Sequence, residues 1–190
     1  MAEDDVDDVH EGGALLEAPE HPTLDILRHS AAHLMAAAVV ELYPGAQYDV
    51  GPAITDGFFY NFRLPDGRTF HEDDLAAIEK RMRELAKREI PYDGRLIPRA
   101  QARAWFEERN QPFKVDIIDR IPADVDSVGV YSTGDFVDLC RGPHVHDTGL
   151  LSAVKLTRVA GVYWRGDERN EQLQRVYGTA WFTQEDLDAY

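Results

Sequence analysis

The longest apolar pattern in the chain follows Pro22 and predicts one long helix ending near Leu42. Thr23 is suited to cap its amino end, and Tyr43-Pro44-Gly45 interrupts the pattern. One face carries an apolar stripe at helical spacing, made up of Leu24, Leu27, Ala31, Leu34, Met35, Ala38 and Leu42. The opposite face is also apolar, through Ile26, Ala36, Ala37 and Val40. Because a helix that is apolar all round is buried, we expect it in the core.

The rest of the chain alternates shorter apolar segments with turn residues. The patterns predict helices at 75–88, 98–108 and after Thr183, and strands at 58–64, 90–97, 114–119, 129–132, 136–139, 153–163 and 173–181. Helices and strands mix without a regular β-α-β rhythm, which favours an α+β fold with a mostly antiparallel sheet. We expect the long helix to be buried against this sheet, with a cleft between two lobes.

Charge and composition narrow the class of protein. The chain has 190 residues, a net charge of −15 and one cysteine, so it holds no internal disulfide. Residues 1–20 carry eight acidic side chains and no Lys or Arg, which is typical of a disordered tail. The remaining body is not basic either, so any RNA contact must use local patches. The two candidates are Arg81, Arg83, Lys87 and Arg88, and Arg158, Arg165, Arg169 and Arg175.

Two short segments carry candidate chemistry. His29 and His33 are four residues apart and share one face of the long helix. Cys140 and His144 lie where the strand at 136–139 ends in an Arg-Gly-Pro turn. Each pair alone is compatible with ordinary core residues, whereas the four together predict either a zinc site or a metal-free hydrolytic pocket.

Four motifs in one order resemble the editing domain of bacterial-type threonyl-tRNA synthetases. They are His29-Ser-Ala-Ala-His33, Gly51-Pro-Ala-Ile-Thr-Asp-Gly-Phe-Phe-Tyr60, Asp138-Leu-Cys-Arg-Gly-Pro-His144 and Tyr163-Trp-Arg-Gly-Asp167. The resemblance covers residues 24–190. The related editing domain of alanyl-tRNA synthetase shares the two histidines and the Cys/His pair but not the Tyr-Trp-Arg-Gly-Asp segment. The ubiquitin-like domain that usually comes first, and the aminoacylating domain, have no counterpart in this sequence.

Composition and resemblance together divide the chain into an acidic tail at 1–20 and an editing domain at 21–190. The implied activity is hydrolysis of serine wrongly attached to threonine tRNA, with no aminoacylation by this chain. The expected partner is tRNA(Thr) carrying serine, and possibly the rest of a synthetase, unless the chain is a freestanding editing protein. We expect no cofactor, no membrane partner and a cytoplasmic location.

The resemblance also implies roles for individual residues. The expected catalytic residues are His29, Lys114 and Asp138, and the expected substrate-binding residues are His33, Tyr60, Cys140 and His144. Two alternatives stay open. One is a zinc-dependent deacylase of the alanyl-editing type, with His29, His33, Cys140 and His144 as ligands. The other is a non-catalytic tRNA-binding module.

Overall fold

The computed structural model describes residues 15–190. The helices of this part are α1 (Leu24–Leu42), α2 (Glu72–Ala86), α3 (Arg99–Glu108), α4 (Pro112–Arg120) and α5 (Gln184–Ala189). Its strands are β1 (Gln47–Tyr48), β2 (Ala53–Ile54), β3 (Gly57–Arg63), β4 (Tyr92–Pro98), β5 (Ser127–Thr133), β6 (Phe136–Leu139), β7 (Ala153–Tyr163) and β8 (Gln172–Trp181).

The strands form two sheets. The first has the order β1-β3-β8-β7, with β2 paired to part of β3, and the second has the order β4-β5-β6. Every pairing between these strands is antiparallel. The prediction of an α+β fold with mostly antiparallel sheets is therefore confirmed.

Helix α1 lies at the centre of the fold. It packs against α2, against β3 and β8 of the first sheet, and against β5 and β6 of the second. Residues 30–39 are buried without interruption, as the two apolar faces predicted. The prediction for Leu42 was wrong, because this last helical residue is 41% exposed. No helix in residues 15–190 has the length and apolar character to cross a membrane.

Helix caps follow local side-chain chemistry. Thr23 accepts a hydrogen bond from the backbone N–H of Ile26, as predicted. Helix α2 begins three residues before the predicted position, and a histidine caps it. His71 is the N-cap residue, and Asp74 accepts a hydrogen bond from its backbone N–H at 2.7 Å. The last helix begins as predicted, with Thr183 as its N-cap.

The segment around Lys114 is helical, so the predicted strand at 114–119 was wrong. Pro112 lies in the first turn of α4, where its missing N–H is not needed. The buried side chains Phe113, Ile117 and Ile118 then recur at helical spacing. Alternating charges over this short stretch suggested a two-residue period. The difference matters because α4 buries Lys114 to 3% exposure, whereas an exposed strand would leave it in solvent.

The predicted acidic tail is described only in part. Residues 1–14 lie outside the described residues, and residues 15–20 form no helix or strand. Leu16 is nevertheless attached to the body, since its N–H donates to the carbonyl of Arg141 at 2.9 Å. The hydroxyl of Tyr131 donates to the carbonyl of Leu16 at 3.0 Å. The contact lies beside the loop that follows β6.

Candidate functional site

Several elements bring polar side chains to one region between the two sheets. Helix α1, strand β3, helix α4, strand β6 and the loop after β6 supply them. The structure brings together all seven sequence-predicted site residues, namely His29, His33, Tyr60, Lys114, Asp138, Cys140 and His144. They come from four segments that lie far apart along the chain, at 29–33, 60, 114 and 138–144, and the fold brings these segments together.

The loop after β6 reverses direction within five residues. The N–H of Cys140 still donates to the carbonyl of Gly129 at 3.0 Å, which continues the pairing of β6 with β5. Gly142 then adopts a φ of +80°, and a Cβ there would lie 2.5 Å from the hydroxyl of Tyr131. The Gly142–Pro143 peptide bond is cis. The reversal returns His144 to within 3.4 Å of the Cys140 sulfur.

The three histidines and the cysteine form one compact group. The Cys140 Sγ lies 3.5 Å from Nε2 of His29 and 3.4 Å from Nε2 of His144. The rings of His29 and His144 are stacked with centroids 4.3 Å apart, and His33 meets His144 at the same separation. One ligand-type atom from each of the four residues lies within 4.8 Å of the others. His29 is half-buried and its three partners are buried, so His29 is the most accessible member.

Asp138 is the centre of a second, charged cluster. Its Oδ1 lies 2.6 Å from Nζ of Lys114 and accepts a hydrogen bond from the N–H of Leu139 at 2.8 Å. Its Oδ2 accepts a hydrogen bond from the Tyr60 hydroxyl at 2.6 Å and lies 3.4 Å from Nε2 of His33. Lys114 also donates to the carbonyl of Asp49. His33 therefore joins the charged cluster to the histidine group.

Burial and charge together set the ionisation of Asp138. Burial by itself raises the pKa of this carboxyl group. The positive charge of Lys114, the neighbouring His33 and the hydrogen bonds from Lys114 and Tyr60 outweigh it, and the pKa lies below its ordinary value. The same burial, assisted by the carboxylate, raises the pKa of Tyr60 well above its ordinary value. Asp138 is therefore ionised, and Tyr60 donates to it as a neutral phenol.

The two buried histidines are neutral at physiological pH. Burial lowers the pKa of His33 to about 3, although the charge of Asp138 acts in the opposite direction. Burial, with His33 and His29 nearby, also lowers the pKa of His144 well below its ordinary value. A neutral imidazole carries one N–H donor and one acceptor nitrogen. Both rings can therefore orient a water molecule or a substrate group without adding charge.

Three contacts of the site were not predicted from the sequence. Ser30 lies 2.9 Å from Nδ1 of His144, and the ring of Tyr92 is stacked on His144 with centroids 4.8 Å apart. Asp49 contributes its backbone carbonyl to Lys114. Only Ser30 left a signal in the sequence, as a small polar residue between the two histidines of the long helix. The other two depend on strand and loop placement.

The two basic patches differ in their neighbours. Near α2, Arg81 pairs with Glu41 and Glu84, and Arg83 pairs with Glu79, so carboxylates offset their charge. In the second patch, Arg169 pairs with Asp167. The guanidinium groups of Arg158 and Arg175 instead stack at 3.7 Å over Tyr177 and Phe59, respectively. Carboxylates or aromatic rings therefore contact five of the arginines in the two patches.

Comparisons with known proteins agree with this site. Residues 128–177, which include Asp138, Cys140 and His144, match the family described as the threonyl and alanyl tRNA synthetase second additional domain. The threonine–tRNA ligase of Marinobacter nauticus is 52% identical over 177 residues, covering 93% of this chain and 27% of the relative. That of Burkholderia mallei is 55% identical over 167 residues, covering 88% of this chain and 26% of the relative.

The chain thus spans about a quarter of the length of the curated relatives that it matches. Their shared region contains both halves of the site, from the histidines of α1 to the loop after β6. The resemblance found in the four sequence motifs is therefore confirmed over most of the chain. Most of the chain is therefore similar to one region of the threonine–tRNA ligases, and its residues 128–177 match the second additional domain of the threonyl and alanyl tRNA synthetases.

Proposed function

We propose that this domain hydrolyses the ester bond of serine wrongly attached to tRNA(Thr), in the cytoplasm, either alone or within a threonyl-tRNA synthetase. The observation that carries the proposal is the contact between His33 and Asp138, at 3.4 Å. This contact joins a buried charged cluster to the histidine group, in which His33 and His144 are neutral and His29 is the most accessible member. Such a combination offers fixed charge and proton-transfer groups at one place.

The proposed reaction is the addition of water to the ester carbonyl of the aminoacyl group. The carbon–oxygen bond to the ribose then breaks, and the ribose oxygen takes up a proton. His29 is the half-buried group that would contact the attacking water or the adjacent ribose hydroxyl. Lys114 donates hydrogen bonds to Asp138 and to the carbonyl of Asp49, which favours a charge-stabilising role over that of a base.

Asp138 supplies the negative charge for the ammonium group of serine and keeps Lys114 in place. Tyr60 donates a hydrogen bond to the same carboxylate, so its ring would border the substrate from the β3 side. The size limit of the pocket would come from His33, Cys140 and His144, which are each no more than 8% exposed. Tightly packed walls of this kind leave little space for an additional methyl group.

The chemical need for such a pocket follows from the two amino acids. Threonine exceeds serine by one methyl group, and a pocket that accepts the larger amino acid discriminates poorly against the smaller one. A second site that admits serine and excludes threonine corrects the error. The proposed site would make this distinction by exclusion.

Single-turnover deacylation of Ser-tRNA(Thr) and Thr-tRNA(Thr) tests the proposal. We expect hydrolysis of the seryl ester to be much faster, and Asp138→Asn to abolish it. Asp93→Asn changes an exposed aspartate on β4 and serves as the matched control. Equal rates for both esters would contradict the size-selection model. Binding of tRNA without hydrolysis of either ester would instead indicate the non-catalytic module.

A zinc-dependent deacylase is the second candidate, because the four candidate ligand atoms lie within 4.8 Å of one another. The separations of 3.4 and 3.5 Å from the Cys140 sulfur are close to those in a tetrahedral site with bonds of about 2.0–2.3 Å. His29, His33, Cys140 and His144 would hold the ion, which would supply an activated water. Metal analysis of protein purified without added zinc, and deacylation with and without a chelator, separate the two candidates.

A further inference from the structure

Ser30 occupies a fully buried position between the two histidines of α1, where its hydroxyl group meets the loop after β6. Its exposed fraction is 0%. The Oγ accepts a hydrogen bond from the backbone N–H of Val145 at 3.0 Å. The same oxygen lies 2.9 Å from Nδ1 of His144. These are the two hydrogen-bond contacts of the Ser30 hydroxyl within residues 15–190.

Counting donors decides the direction of the second contact. The N–H of Val145 can only donate, so Ser30 acts as acceptor there. The hydroxyl proton of Ser30 then has one available acceptor, which is Nδ1 of His144. If Nδ1 carried a proton instead, the hydroxyl proton would be buried without an acceptor, which costs about 1–3 kcal/mol. The pairing therefore leaves Nδ1 as the acceptor nitrogen of a neutral ring.

We propose that Ser30 is a positioning residue that holds His144 in the tautomer with its proton on Nε2. This tautomer directs a chain of hydrogen bonds from Ser30 through His144 and Cys140 to His29. The consequence for catalysis rests on the proposed function, whereas the tautomer itself does not.

The contacts of the Cys140 sulfur indicate the direction of this series of hydrogen bonds. The N–H of Gly142 donates to Sγ at 3.2 Å. Nε2 of His144 lies 3.4 Å from the sulfur, and its proton makes it a second donor. Nε2 of His29 lies 3.5 Å from the sulfur, within reach of the thiol proton. In this arrangement Cys140 acts as a thiol that orients a histidine, and it is not a nucleophile.

Two tyrosines fix the plane of the His144 ring. Tyr92 is stacked on it at 4.8 Å with an interplanar angle of 14°, and Tyr131 meets its edge at 4.6 Å. The hydroxyl of Tyr92 donates to the backbone carbonyl of Ser30 at 2.6 Å, so Tyr92 contacts both the His144 ring and the serine. Because the ring cannot turn freely, the proton on Nε2 is directed at the sulfur. The last acceptor, His29, is the member that we expect to contact water.

Nitrogen NMR of the full chain with 15N-labelled histidine measures the tautomer directly. At neutral pH we expect the pyrrole-type shift on Nε2 of His144 and the pyridine-type shift on Nδ1. His144→Asn assigns the signals. The opposite pair of shifts would overturn the proposal, and it is also the form expected if Nε2 binds a metal ion. This readout is independent of deacylation, so the tautomer and the proposed function can fail separately.

Variants of Ser30 test the consequence for catalysis. We expect Ser30→Ala to lose the uniform Nε2–H form and to slow single-turnover deacylation about tenfold or more, the factor that corresponds to one hydrogen bond. Substrate affinity should change little. Ser30→Thr keeps a hydroxyl and should restore both the tautomer and most of the rate. Ser152→Ala removes an exposed hydroxyl and is the matched control.

An unchanged tautomer and an unchanged rate in Ser30→Ala would refute the positioning role. The same substitution removes the partner of a buried N–H, so the variant can be less stable. If Ser30→Ala does not fold, the spectrum of the natural protein and the deacylation rate of Ser30→Thr test the positioning role instead. A loss of rate in Ser30→Thr with the Nε2–H form intact would also refute the role, since the proposal attributes the rate to the tautomer.

Discussion

Lys114 and Asp138 form a buried ion pair in which Nζ lies 2.6 Å from Oδ1, although one residue comes from α4 and the other from β6. Their side chains are 4% and 3% exposed, respectively. Taking two charges out of water is costly, and removing one partner leaves the other uncompensated. The pair therefore connects the proposed chemistry with the stability of the fold.

The first prediction concerns this pair. Lys114→Met should lower the free energy of unfolding by about 3–5 kcal/mol, because Asp138 is left buried without a counter-charge. Removing both charges, in Lys114→Met with Asp138→Leu, should recover part of this lost stability without restoring deacylation. Urea denaturation at pH 7 measures both effects.

The surface pair of Arg95 and Asp93, at 2.8 Å, supplies the control because its side chains are 70% and 53% exposed. Arg95→Ala should change stability by less than about 1 kcal/mol. A lysine on an exposed strand would behave like this control. Equal effects of Lys114→Met and Arg95→Ala would therefore contradict the helical, buried placement of Lys114.

The second prediction concerns pH. Burial lowers the pKa of His33 from 6.5 to about 3, so between these values the unfolded chain binds a proton that the folded protein does not. Stability should therefore rise with pH across this window and fall on acidification. Asp138 acts in the same direction at lower pH, because its lowered pKa gives stability that is lost as pH falls through the folded value.

Denaturation at a series of pH values between 7 and 3 measures this dependence. We expect His33→Gln to flatten the curve in the upper part of the window, since glutamine does not titrate. His146→Gln changes a ring with a side chain that is 86% exposed, and it should leave the slope as it is. A natural protein equally stable at both ends of the window would show that His33 takes up its proton without unfolding.

The third prediction separates the metal-free site from the zinc site through Cys140. Cys140→Ala removes a small group from the pocket wall and no charge. Hydrolysis of the seryl ester should survive in part, and the additional room should make Thr-tRNA(Thr) a better substrate. If the sulfur is instead a zinc ligand, a stoichiometric metal and all activity should be lost together. Rates of hydrolysis of both esters, together with the metal content of the natural protein and of Cys140→Ala, distinguish the metal-free site from the zinc site.

The fourth prediction uses two glycines with positive φ. Gly142 has φ +80° and its added Cβ would meet the Tyr131 hydroxyl at 2.5 Å, whereas Gly67 has φ +66° with nothing within 4 Å. Gly67→Ala should cost only the backbone term, about 1–2 kcal/mol. Gly142→Ala should cost more and slow deacylation, because the loop that carries Cys140 must shift. Similar losses of stability, with an unchanged rate, would argue against a crowded loop.

The fifth prediction concerns the amino-terminal segment. Residues 1–14 carry six acidic side chains and no Lys or Arg, so their deletion should not weaken tRNA binding and should leave the melting temperature nearly unchanged. Deleting residues 1–17 also removes the two hydrogen bonds of Leu16 with Arg141 and Tyr131. This deletion should lower the melting temperature by about 2–4 °C per kcal/mol lost. Calorimetry of both truncations measures the difference.

Local spacing predicted α1 well, because the apolar positions of a buried helix repeat within a few residues of one another. It failed for Lys114, since nine residues are too few to distinguish a helical from an extended period when charges alternate. The strand at 136–139 was located correctly, but its contacts were not. The bonds of Asp138 to Tyr60 and Lys114 join segments that only the complete fold brings together. Lys114 and Tyr60 became candidate site residues only through the resemblance of the motifs, not through spacing.

Helix α1 is both the centre of the core and the support of His29, Ser30 and His33. We expect the backbone amides of residues 30–39 to exchange with deuterium only when the whole domain unfolds. Under the proposed function, the substrate would then meet a site of fixed shape. Discrimination between serine and threonine would depend on the fixed dimensions of the pocket opening. Mutations that loosen the core far from the histidines should then lower the preference for the seryl over the threonyl ester before they lower the rate of hydrolysis of the seryl ester.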